Sequence, residues 1–237
     1  MGAETLYGST APIREVVPYE EVLRGIVFRM GMDPDFNLPV NLAAALNEYI
    51  NTAARYAWEA YPWPDLIVVD EMSSNSFAVP GMILKIYAKD PTVVGQQSQL
   101  EVPFRNLGST VLLSKDYEKV WVEYRRPFIR YEGPQHIANS NYIAGNKVYY
   151  GRDYYMAMES TNTLPTSGSW GIIPFPEIVA EYVKSAALAE GLRELGRFEQ
   201  AEVHKREAAT MLTAAIDRYE SHTGHTRTFN VALPNRT

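Results

Sequence analysis

Residues 145–170 read GNKVYYGRDYYMAMESTNTLPTSGSW, a run in which four tyrosines and one tryptophan stand among Thr, Ser, Asn and Gly. Rings set among small hydroxylated side chains can stack on the apolar faces of sugars, and Tyr154, Tyr155 and Trp170 are the candidate rings. The same rings could instead fill a minimal β core, because each aromatic buries on the order of 150–250 Å². Catalytic chemistry has less to work with. His222 and His225 stand three apart with no third histidine to complete a metal site, and His204 reads as a surface or interface residue of a helix. Asp33 and Asp35 flank Pro34 between two helical stretches, which is ordinary turn chemistry. Around Ser169 the chain reads SGSWG, not the G-x-S-x-G of a nucleophile elbow, and no glycine pattern that cradles phosphate occurs. The expectation is a protein without catalytic residues, metal or cofactor.

Composition narrows the class further. The 237 residues carry 22 Lys and Arg against 28 Asp and Glu, a net charge of −6 that argues against reading a nucleic acid through its phosphates. The chain has no cysteine, which removes disulfides, thiol nucleophiles and cysteine-ligated metal. MGAETLYGST at the start lacks a basic segment followed by an apolar one, and no window approaches eighteen apolar residues. A soluble protein made in the cytoplasm is therefore expected.

Apolar spacing sets out the elements that must position these groups. Tyr19, Val22, Leu23, Ile26, Val27 and Met30 predict a helix from Pro18 that ends at Gly31, and Leu42, Leu46, Tyr49, Ile50, Ala53 and Ala57 predict a second from about Pro39 to Tyr61. Between Asp65 and Gly171 short apolar or alternating runs, LIVV from Leu66, MILKIYA from Met82, TVLL from Thr110 and VWVEY from Val120, predict strands. Helical spacing returns from Pro176 to Leu195. Gly196 ends that helix, and another follows from Phe198. So short a link predicts an antiparallel αα-hairpin. If each helix buries one apolar stripe, the simplest α+β arrangement is a four-helix bundle. Two N-terminal helices and the C-terminal hairpin, residues 1–64 and 172–221, would form it with Leu46, Ile50, Val183, Leu192, Leu212 and Ile216 in its core. Residues 65–171 would protrude as a β-rich insertion ending in the tyrosine-rich hairpin. The remainder, 222–237, has no helical period and no acidic residue and is expected to be an extended tail. In it Phe229, Val231 and Leu233 alternate like side chains on one side of a strand, flanked by Arg227 and Arg236.

Two resemblances add to this reading. VYYGRDYYMA from Val148, TNTLP from Thr161 and then Trp170 resemble the small chitin- and cellulose-binding module appended to bacterial glycosidases, with Tyr154, Tyr155 and Trp170 at its aromatic positions. No glycosidase domain accompanies them. Over residues 18–221, the stretch AALNEYINTAARYAWEAYPWP from Ala44, WVEYRRPF from Trp121, the tyrosine-rich hairpin, WGIIPFP from Trp170 and AALAEGLRELGRFEQA from Ala186 together resemble the head-to-tail connector, or adaptor and neck, proteins of tailed bacteriophages. That resemblance implies a structural virion protein sited between capsid and tail. It would form a closed ring of about twelve copies under the portal protein, bind tail or nozzle proteins below, and let genome DNA pass without sequence-specific contact. It also implies that the C-terminal tail docks on the portal, through Arg227, Phe229, Val231, Leu233 and Arg236. The alternative is a carbohydrate-binding protein of a phage tail or cell surface.

Overall fold

The computed structural model describes residues 15–33, 38–73, 76–93, 101–107 and 110–222. Prolines set three of the helix starts. Helix α1 (Tyr19–Arg29) follows Pro18, α2 (Val40–Ala60) follows Pro39 and α3 (Glu177–Glu194) follows Pro176, each proline in an extended conformation with no side-chain cap. Proline fixes φ and has no N–H to leave unpaired, but it offers the helix no capping oxygen either. For α1 that oxygen comes from far along the chain, since the Tyr19 N–H donates to Asp153 Oδ1 at 2.9 Å. Helix α3 ends where Gly196 adopts φ +74° and the Arg197 N–H donates back to the Leu192 carbonyl at 2.9 Å. Helix α4 (Phe198–His222) starts immediately.

Among the described residues the strands form four small antiparallel sheets. β1 (Val16–Val17) pairs with β11 (Phe175–Pro176), tying the starts of α1 and α3 together. β2 (Ile67–Met72) and β4 (Met82–Tyr87) flank β7 (Val120–Arg125). β3 (Ser76–Ala78) and β5 (Phe104–Leu107) flank β6 (Thr110–Leu113). β8 (Lys147–Tyr150), β9 (Asp153–Ala157) and β10 (Trp170–Ile172) complete the set, with Gly151 at φ +63° in the two-residue turn between the first two. On β7 the alternation is clean: Val120, Val122 and Tyr124 are buried and, with Val68, Ile86, Val102 and Val111, build a core of their own.

The expected four-helix bundle with a paired N-terminal half is not what forms. Helix α3 is the centre, and α1, α2 and α4 each pack on it while α1 and α2 barely meet. The reason lies in α3 itself. Its buried residues, Val179, Ala180, Val183, Ser185, Ala187, Leu188, Ala189, Gly191 and Leu192, run round the whole circumference, and a helix apolar on all sides must be enclosed. A Cβ on Gly191 would lie 3.1 Å from Leu46 Cδ2 and 3.3 Å from Met30 Cε, so α2 and the end of α1 close on α3 at a point where only glycine fits without adjustment. The helical core is also not made by helices alone. Tyr131, Tyr154, Met156, Ile173 and Phe175 share it with Leu46, Ile50, Val183, Leu192 and Leu212, and Ile216 packs at its margin, half-buried. The architecture is a mixed α+β fold around one central helix.

Between β7 and the β8–β9 hairpin, residues 126–131 run as a strap without regular structure. Hydrogen bonds fix the strap at both ends. The Arg126 N–H donates to the Leu66 carbonyl at 2.9 Å, and the Trp58 indole donates to the Arg126 carbonyl at 2.8 Å. Asn51 of α2 closes the strap's far end: its Oδ1 accepts from the Tyr131 N–H at 2.8 Å and its Nδ2 donates to the Tyr131 carbonyl at 3.0 Å.

Candidate interaction surfaces

The three rings singled out in the sequence do not share a surface. Tyr154 and Tyr155 are consecutive on β9 and so point to opposite faces. Tyr154 is buried, edge-on to Tyr19 with centroids 4.8 Å apart, and burial pushes its hydroxyl up to about 12. Trp170 is buried against Tyr142 at 5.2 Å and His136 at 5.8 Å, and its indole donates to the Thr163 carbonyl at 3.1 Å. Tyr155 is half-buried beside Tyr150. Tyr154 and Trp170 therefore present no open face to a sugar, and the aromatic set serves as core. Sequence spacing could not show this, because the partners Tyr19, Tyr131 and His136 are distant in the chain.

The remaining candidates scatter. His204 pairs with Glu207 at 2.9 Å on α4, and Ser169 donates to Glu159 at 2.7 Å. Asp35, the His222 side chain, His225 and the tail residues Arg227, Phe229, Val231, Leu233 and Arg236 lie outside the described residues. Among the described residues no group of three metal-ligating side chains comes together.

What the fold does assemble is a cleft of about 990 Å³ between α2, the start of β4 and the strap. Its floor is apolar, with Trp58, Met82, Phe128 and Met156, and its walls carry Arg55, Arg125, Arg126, Arg130 and Lys147 against a single acidic residue, Glu59. Four elements place these cations: α2 carries Arg55, β7 Arg125, the strap Arg126 and Arg130, and β8 Lys147. Arg55 pairs with Glu59 one turn on, at 3.1 Å. Arg130 pairs with Glu48 and, at 3.2 Å, with Glu132, which also takes Lys147 at 2.6 Å. The Lys147 hydrogen bond, with Arg130 beside it, holds the Glu132 carboxyl below the usual range despite some burial. Arg125, which lines the cleft, is held by neutral acceptors instead, the Glu59 carbonyl at 3.0 Å and Met82 Sδ at 3.5 Å. The RRPFIR run from Arg125 is the signal that could have pointed to the cleft, and the sequence reading did not single it out. Its junction with Arg55 and Lys147 depends on the Asn51 clamp and could not be read from spacing.

A second, smaller groove of about 450 Å³ lies between α2 and α4, floored by Ala186, Ala189 and Ala208 and rimmed by Tyr56 stacked on Tyr182 at 6.2 Å. Burial, with Tyr56 nearby, pushes the Tyr182 hydroxyl up to about 12. At the elbow where α3 turns into α4, Leu195, Phe198 and Val203 are left in water, at 40%, 62% and 62% exposure. Exposed Glu199 and Glu202 stand among them. Both arginines of this elbow are turned back onto their own chain, Arg193 to Glu190 and Glu202 and Arg197 to the Met30 carbonyl.

No protein-family model matches this chain, and no curated protein is similar to it.

Proposed function

We propose that the protein is a non-enzymatic structural subunit of a tailed-phage virion, a head-to-tail adaptor that assembles as a ring under the portal and joins it to the tail. The observation that carries this reading is the α3–α4 elbow. Leu195, Phe198 and Val203 all lie exposed there within nine residues of chain, and exposed apolar side chains gathered in one place mark a site of association. The resemblance over residues 18–221 supplies the kind of assembly. In this reading the segment 222–237 docks on the portal, with Phe229, Val231 and Leu233 setting register and Arg227 and Arg236 supplying charge.

Two measurements test the proposal. Light scattering and electron microscopy of the purified chain should find closed rings, and pull-down on purified portal protein should capture the full chain but not one truncated after Ser221. A truncated chain that binds portal equally well refutes the role of the tail. A full chain that neither forms rings nor binds portal refutes the adaptor reading.

A further inference from the structure

The elbow and the cleft are complementary, and both belong to one chain. The elbow offers two apolar knobs, Phe198 and Val203, with Glu199 and Glu202 among them. At about 100° per residue these four positions span about 140° of the helix circumference, from Phe198 at the edge of the side on which Ala201, Ala208 and Leu212 are buried round to Val203 on the opposite, solvent side. The cleft offers the converse, an apolar floor of Trp58, Met82 and Phe128 beneath Arg55, Arg125 and Arg130. An acidic chain with a net charge of −6 has gathered five of its 22 basic residues around this one depression. We infer that the start of α4 of one copy docks in the Arg125 cleft of the next, with Phe198 on the apolar floor and Glu199 facing Arg125.

The occupant is thus a second copy of this chain. Elbow and cleft are different surfaces, so the contact is head-to-tail, and repetition gives a ring where the rotation closes and a filament where it does not. Two features favour this geometry over elbow meeting elbow. Self-pairing of the elbow would set Glu199 against its own copy, which repels, and it would leave the Arg125 guanidinium with neutral partners alone among the described residues. Charge complementarity of this kind fixes register and speeds encounter more than it adds affinity, so salt should weaken the wild-type assembly. The inference rests on the reading of the chain as a ring subunit and specifies how the subunits meet.

The test uses the full chain and four variants, each first checked for a native circular dichroism spectrum and unfolding transition. Arg125→Glu and Glu199→Arg should each raise the concentration at half-assembly by about tenfold or more, and the double variant, with the charges exchanged, should recover most of the loss. Phe198→Asp should abolish assembly. A mixture of Phe198→Asp with Arg125→Glu retains one intact elbow and one intact cleft, so it should give dimers and nothing larger. Glu199→Lys and Arg125→Gln provide second readings should either reversal fail to fold. Assembly of the wild type that is unmoved by both reversals overturns the pairing and leaves the ring reading standing. Loss on Phe198→Asp with no effect of Arg125→Glu overturns it in favour of elbow-to-elbow contact. Particles that obey every expectation here but do not bind portal sink the adaptor reading and leave this contact intact.

Discussion

Replacing Asn51 by leucine should be among the most costly single changes in the molecule, although it exchanges one side chain for another of similar size. Asn51 is 2% exposed, and its amide forms a two-way hydrogen-bonded pair with the Tyr131 backbone, 2.8 Å to the N–H and 3.0 Å to the carbonyl. Tyr131 is itself 1% exposed, so water cannot replace either bond. Leaving a buried polar group unsatisfied costs about 1–3 kcal/mol, so two such groups cost roughly 4 kcal/mol, offset by about 1 kcal/mol because the amide need no longer be buried. The net expectation is about 3 kcal/mol, read as a lower midpoint in urea unfolding followed by tryptophan fluorescence, with an unchanged slope. Asn51→Asp separates the two bonds. Its carboxylate still accepts from the Tyr131 N–H, but its second oxygen now faces the carbonyls of Tyr131 and Asn47, which the amide formerly donated to. Burial and those carbonyls raise this carboxyl above its unfolded value, so the deficit relative to wild type is fully present above the folded pKa and shrinks as pH falls through it. A loss under about 1 kcal/mol for Asn51→Leu, or an Asn51→Asp deficit that does not change between about pH 7 and pH 4, would refute the clamp.

Leu46→Ala should cost about 2–5 kcal/mol, and adding Gly191→Ala should return about 1 kcal/mol, because the new methyl then occupies space that Leu46 Cδ2 held at 3.1 Å; strictly additive unfolding energies would contradict that contact. Gly133→Ala should lose more than about 2 kcal/mol, since φ is +132° and the Cβ would meet the Lys147 carbonyl oxygen at 2.2 Å, whereas Gly151→Ala meets nothing within 4 Å and bears only the strain of φ +63°. Thermal unfolding of the pair should show the larger drop for Gly133, and equal drops would count against the close approach. Carboxyl NMR titration should place Glu181 below ordinary glutamates, through its hydrogen bond from Lys184 with Arg29 nearby, and Asp153 above ordinary aspartates, through burial that outweighs the Tyr19 N–H. The signs oppose: the Glu181 contribution is present above its unfolded pKa and lost as pH falls, while the Asp153 penalty sets in as pH rises through its unfolded value and is complete above the folded one.

The helices were legible because α1, α2 and α3 each start at a proline and end at glycine or proline, and α4 follows at once on the glycine that ends α3, signals that lie within a few residues of the boundary. The runs from Leu66, Met82, Thr110 and Val120 correspond to β2, β4, β6 and β7 for a similar reason, local alternation. What could not be read was how the helices meet. The bundle expectation took one stripe per helix, and α3 has none, because its Ala and Gly positions are apolar enough to be buried on every side yet too small to mark a face. The cleft was illegible for a different reason. Arg55, Arg125 and Lys147 belong to α2, β7 and β8, and contacts between residues far apart in sequence, such as the Asn51–Tyr131 pair and the Trp58 indole on the Arg126 carbonyl, bring the three elements to one place.

The two-residue ladder between β1 and β11 has a consequence for the order in which a newly made chain can fold. Helix α1 is synthesised early, but the ladder beside its first turn needs Phe175 and Pro176, its capping oxygen belongs to Asp153, and the helix it packs on is α3. At ordinary translation rates those partners emerge on the order of ten seconds later. Closing so long a loop is slow, and local structure earns nothing from it until the last partners arrive. The elbow at Phe198 follows α3 directly, so the surface that would recruit a neighbour is completed only after the core that supports it can close. A chain that ends before Phe198 lacks the knob, and on the proposed contact it cannot dock in a neighbour's cleft.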